Sequence, residues 1–111
     1  MVKIIDRILT VEERKERTKY IERIVSQEFS DPNYFCLAGI DSFSLRTKGF
    51  KNYFKQPKIQ ANLDPFTHIT TLFVNDSAFS ELAKKIADRY KNETGYEIII
   101  TNAKYSDLFK I

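Results

Sequence analysis

The stretch from His68 to Thr101 constrains the fold more than any other, because its local signals agree on a strand, a helix and a second strand. His68-Ile-Thr-Thr-Leu-Phe-Val74 is β-branched and aromatic with no breaker, which is strand composition. Asn75-Asp-Ser77 then supplies side chains that accept the orphan amides of a helix start. Phe79, Leu82, Ala83, Ile86, Ala87 and Tyr90 follow at helical spacing, so all six share one face, with Glu81, Lys84, Lys85, Asp88, Arg89 and Lys91 opposite. Gly95 stands where a helix end needs positive φ. Tyr96 to Thr101 is the second strand, and its isoleucine run predicts burial on both faces. The unit expected is a right-handed βαβ crossover.

Upstream, the alternation in Val2 to Leu9 predicts a first strand, with a short helix as the alternative. Thr10-Val-Glu-Glu13 is a capping box that starts a helix running to about Glu28 or Phe29, before Asp31-Pro32. Its apolar face, Ile21, Ile24, Val25 and Phe29, occupies only the later half. The charged first two turns are therefore expected in solvent, held by pairs such as Glu13 with Arg17. Tyr34 to Ala38 and the alternating Phe43, Leu45 and Thr47 predict two strands turned around Gly39 to Ser42. Ile59 to Leu63 reads as a short extended piece before an Asp64-Pro65 turn. Taken in order, residues 1–111 make a single α/β (α+β) domain, closest to a ferredoxin-like βαββαβ two-layer sandwich. Its mixed sheet would carry both helices on one face and a basic excursion before the third main strand. A three-layer sheet is the competitor. The tail from Asn102 to Ile111 is either a helical turn with Tyr105, Leu108 and Phe109 packed inward or a docking peptide for a partner.

Composition sets the class. A 111-residue chain that is 42% hydrophobic and 30% charged can bury about 60 to 70% of its unfolded surface, enough for a core without staples. No apolar run reaches membrane-spanning length, and Lys3, Asp6 and Arg7 interrupt Met1 to Leu9, which spoils a signal peptide. A cytoplasmic chain with no membrane partner is expected. Cys36 is the single cysteine, which excludes an internal disulfide and predicts a small buried hydrophobe. Abundant Phe, Tyr, Ile, Asn and Lys beside scarce Gly, Ala, Arg and Pro point to an A+T-rich genome, as in low-GC bacteria, their phages, some archaeal viruses or eukaryotic parasites.

The positive charge is local. Between Ser42 and Leu63 stand five cations, Arg46, Lys48, Lys51, Lys55 and Lys58, and no acid; removing them from a net charge of +3 leaves −2 elsewhere. Phe50, Tyr53 and Phe54 are interleaved with them. Flat rings on which unpaired bases stack, beside lysines that neutralise phosphates, are what single-strand binders use. Arg46, Lys48, Phe50, Lys51, Tyr53, Lys55 and Lys58 are therefore the candidate nucleic-acid-binding residues. The competing reading makes Phe50, Tyr53 and Phe54 the buried face of a short helix ended by Pro57, with the lysines merely solvated. Lys48-Gly-Phe50 resembles the opening of the RNP1 motif of RNA-recognition domains, but Lys51 and Asn52 stand where a small residue and an aromatic belong, so the family is not assigned.

Chemistry has less support. His68 is the only histidine, and with Asp64 four residues before it and Thr67, Thr70 and Thr71 beside it, an oriented general base can be drawn. No catalytic constellation, metal-ligand spacing or phosphate loop stands out, so neither an enzyme nor a cofactor is expected. Two functional readings follow. One is a binding protein for RNA or single-stranded DNA through residues 46–58. The other is a small phage or mobile-element accessory protein that binds and modulates a host protein, with self-association into a homodimer through a strand edge also open.

Overall fold

The computed structural model describes residues 7–49, 51 and 55–102, and every structural statement below concerns these. Helix α1 spans Val11–Glu28, strands β1 to β4 span Tyr34–Ala38, Ser42–Thr47, Ile59–Leu63 and Thr70–Val74, helix α2 spans Ser80–Thr94, and strand β5 spans Ile98–Thr101.

The five strands form one mixed sheet in sequence order, β1-β2-β3-β4-β5. The first four run antiparallel to their neighbours, and β5 joins β4 in parallel after the α2 crossover. This α+β sheet with two helices agrees with the expected class but not with the ferredoxin-like order, which interleaves the strands of its two halves. The difference lies in Ile59–Leu63. Read as an extended piece, it is a full strand at the centre of the sheet, with burial alternating along it, and it fills the position that a strand at the N-terminus was expected to help build. Of that expected strand, residues 2–6 lie outside the described residues. Arg7 to Leu9 are not strand: Leu9 is buried and its amide makes a single bond to the Pro65 carbonyl, 3.1 Å.

Register explains the core. Leu45 pairs with Ile59 and Ile59 with Val74; Phe43 pairs with Ala61 and Ala61 with Leu72. Paired residues point to the same face, and these meet Ile21, Ile24 and Val25 of α1 and Leu82, Ala83, Ile86, Ala87 and Tyr90 of α2 in one cluster. Both helices therefore cover the same side, as expected. Helix α1 starts at the capping box, Thr10 Oγ1 accepting from the Glu13 amide and Glu13 from the Thr10 amide. Helix α2 follows a 3-10 turn at Ser77–Phe79 that Asp76 caps, and ends at Gly95 with φ 76°.

Three expectations are corrected. The first turns of α1 are not all in solvent, because Arg17 and Thr18 are buried and Arg14 forms a bidentate pair with Asp41. The pairing expected between Glu13 and Arg17 is replaced by Arg7 to Glu13, 2.6 and 2.8 Å. Strand β5 lies at the sheet's edge, with Ile99 53% and Ile100 40% exposed, so the isoleucine run is covered on one side only, at Ile98. The second sheet face is largely polar, with Gln60 donating to Asn62 at 2.9 Å, but it is not bare: Phe73 there is only 5% exposed.

Candidate functional site

The connection from β2 to β3 holds the basic segment at the end of the sheet where β4 and β5 also finish. Strand pairing persists past the strand ends and fixes its base: the Lys58 amide donates to the Leu45 carbonyl at 2.8 Å, and the Asn75 amide to the Lys58 carbonyl at 3.0 Å. Pro57 is buried, its carbonyl accepting from Asn75 Nδ2 at 2.9 Å. Arg46 leaves β2 on the face away from the helices. Its Nε donates to Ser44 Oγ at 3.2 Å and its Nη1 to the Lys55 carbonyl at 3.0 Å, which folds the segment back over the strand.

Arg46, Lys55 and Lys58 are thereby brought to one cleft of about 270 Å³, shared with Tyr34, Thr47 and Gln56. Lys48, Lys51 and Lys55 are exposed. Lys58 is not a free cation: its Nζ pairs with Asp76 at 3.1 Å. The Ala78 amide and then Lys58 hold the Asp76 carboxyl below its usual range. Asp76 stands outside the acid-free window in sequence and enters it only because β3 and β4 are neighbours, so no local signal marks it. Gly49 turns the chain just past β2 with φ 119°, so Lys48-Gly49 is not the strand that an RNP1 motif requires. Phe50 and Tyr53 lie outside the described residues, as does Phe54, and with them both the stacking expectation and the short-helix alternative.

The acid–base pairing drawn from sequence takes another form. His68 adopts φ 62°, its amide donates to the Asp64 carbonyl at 2.8 Å, and its Nε2 lies 3.0 Å from the Arg7 carbonyl, which that nitrogen meets as a donor. The Asp64 carboxylate accepts from the amides of Phe66 and Thr67, capping the turn rather than orienting the imidazole. No group of three His, Cys, Asp or Glu side chains suited to a metal ion occurs among the described residues. Cys36 is half-buried against the core beside Val25, Phe29 and Leu45, and burial pushes its thiol up to about 11. It is unreactive near neutral pH.

Sequence reading missed a second polar constellation, at the opposite end of the sheet. Arg17 is only 8% exposed, lies over the Tyr96 ring at 3.6 Å from the centroid, and reaches the His68 carbonyl at 3.4 Å. Beside it the hydroxyls of Tyr90 and Thr70 are buried without a hydrogen-bond partner. Burial raises the Tyr90 phenol, and the nearby Thr70 and Arg17 side chains oppose that rise.

No family model, curated protein or solved structure matches this chain.

Proposed function

We propose that this chain is a non-enzymatic nucleic-acid-binding protein that contacts RNA or single-stranded DNA through residues 46–58. The observation that supports this most directly is the meeting of Arg46, Lys55 and Lys58 at one cleft beside Tyr34, with Lys48 and Lys51 exposed on the same connection. A folded-back basic loop presents several cations to a phosphate backbone at once. Fluorescence anisotropy of labelled single-stranded RNA, single-stranded DNA and duplex DNA tests it at low and near-physiological salt. Salt-sensitive binding, lost in a Lys48/Lys51/Lys55→Glu variant, is expected. No binding at low salt eliminates the reading.

A second reading rests on a different observation, the exposed apolar edge of β5, and takes a protein partner, either a host protein or a second copy of this chain. The Glu97 carbonyl bonds inward to the Thr70 amide at 3.1 Å. Backbone groups alternate sides along a strand, so those of Ile98 and Ile100 face outward, where no described strand pairs with them. An edge without charge or proline is one that an added strand can extend. Retention of a host protein, or a dimer mass in solution, supports this reading; a monomer that retains nothing counts against it.

A further inference from the structure

The cleft between α1 and the far end of α2 has features that neither the basic segment nor the strand edge uses. It has a volume of about 420 Å³ and is lined by Glu13, Glu16, Arg17, Tyr20, Glu93, Thr94 and Tyr96. Tyr90 lies beneath it, its ring centroid 6.3 Å from that of Tyr20 and 6.1 Å from that of Tyr96.

A guanidinium taken out of water needs an anion, because its charge is otherwise uncompensated. Arg17 is 8% exposed and forms no ion pair with a described residue; its contacts are the Tyr96 ring and one long bond to a backbone carbonyl. The glutamates nearest in the cleft are already engaged: Glu13 holds Arg7 through both oxygens, and Glu93 holds Arg89 and the Tyr20 hydroxyl. Two further polar groups beside Arg17, the hydroxyls of Tyr90 and Thr70, are buried close to one another without a hydrogen bond of ordinary length. A guanidinium so buried, with no carboxylate among the described residues paired to it, gives the cleft a floor that an anionic group from outside can meet.

We propose that this cleft binds a free α-amino acid, its carboxylate on Arg17 and its ammonium toward the Glu16 rim. The acidic rim selects the class. A phosphate dianion would meet Glu16 on entry, whereas a zwitterion offers one negative group to the cationic floor and one positive group to the rim. Tyr20 and Tyr96 form the aromatic walls, and the volume falls within the range of small-molecule sites.

The test is an NMR titration of the full ¹⁵N-labelled chain with pools of proteinogenic α-amino acids, followed through the Arg17 Nε–H and the amides of Thr94 to Tyr96. At least one amino acid is expected to give saturable shifts, with its methyl ester binding about tenfold or more weakly. Arg17→Met should abolish the response in a chain whose circular dichroism is unchanged. Should Arg17→Met fail to fold, the comparison of acid with ester on the wild type decides alone. The proposal is overturned if no pool shifts these signals, if ester and acid bind alike, or if a folded Arg17→Met chain still responds. None of these outcomes depends on the nucleic-acid reading.

Discussion

Lys58 reaches Asp76 across neighbouring strand ends, Nζ to Oδ2 at 3.1 Å, while the other carboxylate oxygen caps the turn before α2 through the Ala78 amide at 3.0 Å. One acid thus restrains a candidate phosphate contact and starts a helix. Asp76→Asn keeps an oxygen for the cap and removes the charge. It should tighten single-strand binding and steepen the dependence of log K on log salt by about 0.7 to 0.9, the share of one released phosphate contact. Asp76→Ala also loses the cap and should cost about 1 kcal/mol in urea unfolding. Unchanged salt dependence in Asp76→Asn would place Lys58 outside the interface. Because the folded carboxyl lies below its unfolded value, its contribution is complete above the unfolded pKa of about 3.9 and fades as pH falls through the folded value.

The start of α1 yields a second pH prediction. Arg7 and the Thr10 amide hold the Glu13 carboxyl well below the usual carboxylate range. The unfolded chain therefore takes up a proton first as pH falls. Stability from this group is present above about pH 4.3 and drains away below it. Thr10→Ala should cost about 1 kcal/mol at neutral pH through the lost cap. In Glu13→Gln the fall in urea midpoint between pH 5 and pH 2 should be shallower than in the wild type. Arg7 is 59% exposed, so added salt should weaken the ion-pair part and leave the capping part.

The helices were legible because their signals are local. The capping box, the apolar face of α2 and Gly95 each act within a few residues, and each stands where spacing places it. Sheet order was not legible, since Ile59–Leu63 is distinguished from a linker only by the neighbours it acquires, Leu45 on one side and Val74 on the other. The same limit governs sites. The run of lysines could be read directly, whereas the acid that restrains one of them sits 18 residues away. Arg17 looked like one of many surface charges on a charged helix; its burial depends on Tyr96, far along the chain.

Gly95 offers a clean measurement. It ends α2 at φ 76°, and a Cβ built there meets nothing within 4 Å, so a substitution is opposed by backbone strain alone. Gly95→Ala should cost about 1 kcal/mol, and Gly95→Asn less, because asparagine tolerates the left-handed region. Equal stability of Gly95→Ala and wild type in chemical denaturation would show that the helix end relaxes. Ile86→Ala, at 0% exposure in the core, sets the scale for comparison at about 2 to 5 kcal/mol.

The edge of β5 separates folding from association. Ile99 is 53% exposed and its side chain points to the face away from the helices, so Ile99→Lys removes little that the folded chain buries. Its effect on stability should stay within about 0.5 kcal/mol. A lysine on an open edge opposes strand addition, because burying its ammonium against a second backbone costs more than the new ladder returns. If the edge is used, sedimentation should show a wild-type chain whose mass rises with concentration and an Ile99→Lys chain that remains monomeric. Binding of single strands should be equal in the two, because residues 46–58 run from the last residues of β2 through the β2–β3 connection, and β5 is two strands away from β3. A wild type that is monomeric throughout excludes the second copy as occupant of this edge, and leaves the host-protein form of the reading to be tested by whether Ile99→Lys loses a retained partner.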